Sequence, residues 1–261
     1  MRPDGRGLEF AIGGRRPVTE AIRSGHARRI LLANGLSASG PARALLAEAD
    51  AAGVSVTRVE RAALDRHGVR DHQGVVAMVA PPPELNERAL AGLPLGPHAI
   101  AVVLDGIEDP QNFGAAARSA EAAGAAMLVV RSRRAAPLTP AAIRASAGAV
   151  LHLPVARVTN LRRTIDALKD RGLFVAGLDH LASATIDDTP PPDGPVALVL
   201  GAEEAGISRL VKESCDLLVA IPMRGRTGSL NASAALAVGL FGWLLRSRSA
   251  GVAQPGSASD L

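Results

Sequence analysis

The sequence predicts an α/β protein made of two units, a small N-terminal one and a larger C-terminal one, each with a mostly parallel sheet. Three observations carry that expectation. Short apolar runs of strand length alternate with stretches of helical composition, the pattern of β-α-β units. Pro81-Pro82-Pro83 breaks the alternation once, because consecutive prolines disfavour helix and cannot donate to a sheet ladder. Beyond that break, several apolar runs lead straight into glycine-bearing polar loops, the places where open α/β folds bind ligands.

In order, residues 8–12, 29–33, 54–59 and 74–80 read as strands of the first unit. Residues 17–23, 41–52 and 62–67 read as its helices, with Pro17 near the first turn of one of them. The first unit is expected at 1–80 and a Pro/Gly-rich linker at 81–98, about which that unit can swing. The second is expected at 99–246. Its strand candidates are 100–104, 126–130, 150–154, 173–178, 196–200 and 217–221. Its helices are 114–123, 140–147, 161–169, 208–213 and the almost wholly small or apolar 232–245. Residues 247–261 have the small, polar composition of a disordered tail.

Composition narrows the function classes. The chain has 261 residues, enough for one large or two modest cores. No apolar stretch approaches the roughly 20 residues that span a bilayer, and the N-terminus lacks the apolar run of a signal peptide. Aromatic residues are 2% of the chain, so base stacking cannot be the main mode of nucleic-acid binding. The lone Cys215 rules out an intrachain disulfide, fits a reducing cytoplasm, and reads as a small core residue rather than a nucleophile. The six histidines show no metal-like spacing, so no metal is expected. Lysine occurs only at positions 169 and 212, and arginine supplies the rest of the positive charge. Arginine grips phosphate through two parallel hydrogen bonds. Arg15, Arg16, Arg23, Arg28 and Arg29 form the densest basic cluster, and Arg15, Arg16, Arg28 and Arg29 are the candidates for contact with the phosphates of a nucleic acid.

Three loops of the second unit carry its chemistry. Residues 105–114 contain Asn112, Gly114 and, just beyond, Arg118. Residues 198–207 contain Gly201, Glu203 and Gly206. Residues 221–233 contain Ile221-Pro222-Met223, a short glycine-bearing loop, and Ser229-Leu230-Asn231. In that order and spacing they resemble the three motifs of the SpoU (TrmH-like) branch of the SPOUT RNA methyltransferases. The first unit is similar to the N-terminal domain that many of these enzymes carry, which resembles a ribosomal protein and holds RNA.

The resemblance implies a C-terminal α/β domain with a deep trefoil knot, which no periodicity could reveal. It implies S-adenosylmethionine as cofactor and methyl transfer to a ribose 2′-hydroxyl of large-subunit ribosomal RNA by a cytoplasmic homodimer. Leu200, Gly201, Ile221, Met223, Leu230 and Asn231 would hold the cofactor. Arg118, Asn112, Glu203, Ser229 and Asn231 would form the catalytic group, with Arg118 gripping phosphate and stabilising developing alkoxide charge. A guanidinium hardly ever loses its proton, which argues against Arg118 as general base. Asn112 and Asn231 are each expected to cap the helix that follows.

Other readings stay open at this stage. A tRNA methyltransferase and an antibiotic-resistance ribosomal-RNA methyltransferase share the motifs. A non-catalytic RNA-binding protein of this fold is a different class, as is an oxidoreductase or transferase of ordinary doubly wound type. No Gly-x-Gly-x-x-Gly follows a strand, and neither a phosphate-binding Walker loop nor a Gly-x-Ser-x-Gly elbow is present.

Overall fold

The computed structural model describes residues 9–36, 40–191, 193–226 and 228–245. The expected tail at 247–261 and Thr227 of the third loop lie outside the described residues.

The first unit is a four-stranded sheet. In chain order it comprises β1 (Phe10–Gly13), α1 (Arg15–Arg23), β2 (Ala27–Ala33), α2 (Pro41–Ala51), β3 (Ser55–Val59), α3 (Arg61–Asp65) and β4 (Val75–Val79). The spatial order is β1-β4-β2-β3. Only β2 and β3 pair in parallel; β4 runs antiparallel to both β1 and β2. The expected mostly parallel sheet is therefore corrected here. Helix α3 has five residues and climbs only about 7–8 Å. It cannot carry the chain back along the sheet, so β4 starts at the end where β3 stopped.

The linker is more ordered than its composition suggests. It contains α4 (Glu87–Ala91), capped by Asn86, whose side chain accepts from Ala89 N. Leu85 pairs with Ala156, and Glu84 lies 2.7 Å from Arg157 Nε. Arg171 donates to the carbonyls of Leu90 and Leu93. The seam between the units is also filled. Glu20 of α1 meets His152 at 3.0 Å, and a Cβ added at Gly148 would sit 2.5 Å from the Glu20 Cβ. One apolar cluster runs from Ile12 and Val18 through to Ile143 and Val150. The expectation of a swinging first unit thus meets a packed junction.

The second unit contains β5 (Ile100–Asp105), α5 (Pro110–Ala122), β6 (Met127–Arg131), α6 (Pro140–Ala145), β7 (Val155–Val158), α7 (Leu161–Asp170), β8 (Phe174–Leu178), β9 (Ala184–Thr185), β10 (Val196–Gly201), α8 (Arg209–Lys212), β11 (Leu217–Ala220) and α9 (Ala232–Ala237). Its sheet order is β7-β6-β5-β10-β8-β11-β9 and every pairing is parallel. β5 and β10 are buried along their whole length, as strands covered on both faces must be. Ile100, Val102 and Leu104 of β5 pack toward α5, α6 and α9, while Ala101 and Val103 pack toward α4, α7 and α8.

Two expectations fail locally. The strand placed at 150–154 is a tight single turn at Ala149–Leu151, entered through Gly148 at φ 93°. Pro154 has no N–H to give, so its carbonyl accepts from Leu128 N and the strand begins one residue later at Val155. The single long helix at 232–245 is α-helical only over α9; Val238–Leu245 continues it with wider, π-type turns. Gly239 lets this segment approach Leu178 and Leu198, and Trp243 Nε1 donates to Thr189 O at 2.6 Å.

Candidate functional site

Because the sheet is parallel, the loops after β5, β8, β10 and β11 all open at its C-terminal edge. The loop after β5 leads into α5, whose N-cap is Asp109: its Oδ2 accepts from Asn112 N at 2.9 Å. This corrects the expectation that Asn112 caps the helix. Asp109 takes the capping work and frees the Asn112 side chain. Gly114 serves packing, since a Cβ there would lie 2.6 Å from Ala142 O and 2.6 Å from the Ala145 Cβ. Arg118 follows one turn later on the same face. It is exposed, and no ion pair or hydrogen bond engages it among the described residues.

The loop after β10 explains both of its glycines. A Cβ on Gly201 would stand 2.0 Å from the Gly206 carbonyl carbon, so two stretches of backbone touch there. Gly206 adopts φ 63° and donates its N–H to Ala202 O at 2.8 Å, closing the neck of the loop that carries Glu203. After β11, Asn231 caps α9 as expected, its Oδ1 accepting from Ser233 N at 3.0 Å and from Ser233 Oγ at 2.6 Å.

These three loops meet at Asn231. Its Nδ2 donates to Asn112 Oδ1 at 3.0 Å and to Glu203 Oε2 at 3.3 Å. The amide orientation follows from the chemistry. A backbone N–H can only donate, so Oδ1 must face Ser233 and Nδ2 must face the other two. Asn112 then offers Oδ1 to Asn231 and keeps both Nδ2 hydrogens. Glu203 keeps one carboxylate oxygen without a partner among the described residues.

Beside this cluster lies a cleft lined by Leu200, Gly201, Ile221, Met223, Ser229 and Leu230. All the expected cofactor residues except Asn231 therefore line one space, and Asn231 stands at its rim through Glu203. Gly206 and Gly228 also line it, and a Cβ added at either would meet no protein atom. Bare backbone and aliphatic side chains thus form a cradle suited to a cofactor held by amides and apolar contact.

Sequence reasoning missed the contribution of β8, whose end supplies Leu178, Asp179 and His180 to the cleft. Asp179 is buried; its carboxylate pairs with Lys212 and accepts from Leu181 N at 3.0 Å. Burial is the largest single influence and opposes its ionisation. The Lys212 hydrogen bond and charge, the Leu181 amide and the His180 charge together outweigh burial and hold the pKa below the ordinary value. Asp105 was missed as well. It ends β5 and binds Arg131 and Ser208. A common signal marks both acids, since each terminates an apolar strand as the sole carboxylate there. Cys215 behaves as the sequence suggests: burial pushes its thiol up to about 12, leaving no thiolate at neutral pH.

The arginines of the first unit are not gathered into one patch. Arg15 and Arg16 open α1 at the sheet end where β1 finishes; Arg28 and Arg29 open β2 at the opposite end. The seven residues of β2 span roughly 20 Å at about 3.3 Å each. Arg28 is the extra residue of a bulge between Ala27 and Arg29. Arg23 is occupied by Glu20 and Glu48 at 3.0 and 2.7 Å.

Comparison with known proteins adds the family. Residues 99–241 match the SpoU rRNA Methylase family, and residues 11–85 match the domain described as RNA 2'-O ribose methyltransferase substrate binding. The chain is 43% identical over 232 residues to an uncharacterized tRNA/rRNA methyltransferase of Mycobacterium avium (strain 104), covering 86% of this chain and 74% of that one. It is similar to the crystal structure of the SpoU methyltransferase AviRb from Streptomyces viridochromogenes in complex with AdoMet. That match has a TM-score of 0.76 and 30% identity, over 93% of this chain and 92% of the other. A crystallised RNA 2'-O ribose methyltransferase matches with a TM-score of 0.77 and 30% identity, over 92% and 89% of the two chains.

Proposed function

Since the chain belongs to the SpoU rRNA methylase family, we propose that this S-adenosylmethionine-dependent RNA methyltransferase modifies a ribose 2′-hydroxyl of large-subunit ribosomal RNA. The observation that carries the reading is the meeting of Asn112, Glu203 and Asn231 beside the cleft. A hydroxyl needs one donor for its oxygen and one acceptor for its proton. Among the described residues Asn112 Nδ2 keeps both hydrogens and Glu203 keeps one oxygen, and Asn231 ties the two side chains together, so they can supply that pair.

When bound, the cofactor supplies a methyl group activated on a sulfonium. Leu200, Ile221, Met223 and Leu230 would hold it by apolar contact, and Gly201 and Gly206 by the backbone they bring to the cleft wall. Asn112 holds the ribose oxygen. Glu203 takes the proton that this oxygen gives up as it is methylated. Arg118, without an ion pair or hydrogen bond among the described residues, grips the neighbouring phosphate and stabilises charge developing on oxygen. Asn231 keeps donor and acceptor in register, and Ser229 lies at the cleft wall.

Two family-implied features accompany this reading. The knot is supported by the strand order β10-β8-β11-β9, because β11 enters between two strands that precede it and are joined directly. A homodimer is supported by the apolar segment α9 and Val238–Leu245, where Phe241 stays 44% exposed. No helix among the described residues is long and apolar enough to cross a membrane, and a cytoplasmic location is part of the proposal.

Mapping ribose methylation in ribosomal and transfer RNA with and without the gene tests the target. Loss of one large-subunit methylation is the expected result, and loss confined to tRNA would overturn it. Sedimentation of the purified protein tests the dimer, which a single monomeric species would refute.

A further inference from the structure

Asp105 is 4% exposed, yet both of its oxygens are used. Oδ1 forms an ion pair with Arg131 Nη2 at 2.7 Å, and Oδ2 accepts from the Ser208 backbone N–H at 2.8 Å. Arg131 Nη2 also donates to Ser208 Oγ at 2.9 Å, closing a triangle. Its corners are the end of β5, the end of β6 and the residue that finishes the Glu203 loop. Ser208 stands at the N-cap position of α8 but caps nothing; its hydroxyl goes to Arg131 instead. A buried carboxylate without partners is costly, so a loop displaced from this register would leave Asp105 unsatisfied. The same segment is held from the other side by the pair of Lys212 on α8 with Asp179 after β8, so α8 does not depend on Asp105 alone.

We infer that Asp105 is a positioning residue: with Arg131 it anchors Ser208 and thereby sets where Glu203 stands relative to Asn231 and Asn112. The loop anchoring rests on geometry alone, and its catalytic consequence rests on the methyl-transfer reading above. Glu203 is presented on a loop closed at its neck by the Gly206–Ala202 bond. Beyond that neck, the Asp105 triangle fixes the loop to the sheet. Small displacements matter there, because misplacing a reacting group by about 1 Å can cost about 10²-fold in rate.

The test uses the full chain with Asp105→Asn, which keeps the shape and one acceptor but removes the charge. Amide exchange at Ile207 and Ser208 should speed up by about 10- to 100-fold, the equilibrium factor of one hydrogen bond to a charged group. Single-turnover methyl transfer to an in vitro transcript of large-subunit ribosomal RNA should fall by about 10²-fold, with S-adenosylmethionine affinity unchanged within about threefold. Combined with Glu203→Gln, the two rate losses should be clearly less than multiplicative, as expected of residues acting through one another. A merely structural role would give multiplicative losses. Ser208→Ala and Ser208→Pro provide a second route. Ser208 has φ −63°, which proline accepts, and only proline removes the N–H. The proline variant should be the slower. Unchanged loop exchange, multiplicative losses, or equal rates for the two Ser208 variants would each overturn the proposal. Faster loop exchange in a protein whose wild type methylates no RNA would leave the anchor standing and sink the methyl-transfer reading instead.

Discussion

The two units treat sequence proximity in opposite ways. In the second, Asn112, Glu203 and Asn231 are far apart in the chain and end within hydrogen-bond reach of each other. In the first, Arg15, Arg16, Arg28 and Arg29 are near neighbours in the chain and end at opposite ends of a strand. The cause is strand direction. An all-parallel sheet delivers every strand C-terminus to one edge, so distant loops converge. A helix that runs back along the sheet separates the residues at its two ends by its own length, and α1 does so between Arg15 and Arg23. A local cluster of charge is therefore a poor guide to a patch, and dispersed motifs after parallel strands are a good guide to a site.

The largest expected effect tests the convergent edge. Arg118→Ala should slow single-turnover methyl transfer by about 10²–10³-fold, as loss of one oxyanion donor does, while cofactor affinity stays within a few-fold. A wild-type rate would remove Arg118 from the site. Arg118→Lys sharpens the role. Partial activity with little new pH dependence fits charge placement, whereas a rate rising through the lysine pKa would mean that a proton leaves this residue.

Gly201→Ala is next. Its Cβ would overlap the Gly206 backbone, so the Glu203 loop must open at its neck. Overpacking costs about 1–3 kcal/mol, and calorimetry should show cofactor affinity reduced roughly 10- to 100-fold. Unaltered binding would mean that the loop neck does not shape the cleft.

In the first unit, the two arginine pairs can be separated. If one end of the sheet meets RNA, replacing that pair by alanine should flatten the salt dependence of RNA binding by about one unit of slope per contact. Replacing the other pair should leave the slope alone. Equal losses from Arg15/Arg16 and Arg28/Arg29 would show RNA spanning the whole strand and would break the contrast.

The smallest effect concerns pH. Burial lowers the pKa of His26, with Arg28 and His152 adding repulsion, and a hydrogen bond given by its ring to the backbone of Ala80 partly opposes this. A histidine with a depressed folded pKa contributes stability that is fully present above its usual 6.5 and is lost as the pH falls toward the folded value. The Asp179 contribution persists above the usual 3.8 and is lost only below it. Thermal melts from pH 7.5 to 5 should therefore show a small loss that His26→Gln abolishes and Asp179→Asn does not. The reverse pattern would move the sensitivity from His26 to Asp179.

The sequence by itself determined the α/β alternation, the helix starts at Pro41, Pro140 and Asn231, and the identity of the three loops, because these depend on local periodicity and residue type. It also marked Leu200, Gly201, Ile221, Met223 and Leu230 as neighbours of one cleft through the motif resemblance. Tertiary structure alone decided the rest. β4 runs antiparallel because α3 is too short to bring the chain back. The strand at 150–154 moved beyond Pro154 because proline cannot donate to the ladder. Asp109 rather than Asn112 caps α5, which leaves Asn112 free for Asn231. Asp105 and Asp179 became site residues only when Arg131, Ser208 and Lys212 reached them from other strands and helices. A buried carboxylate takes its meaning from its partners, and those partners lie elsewhere in the chain.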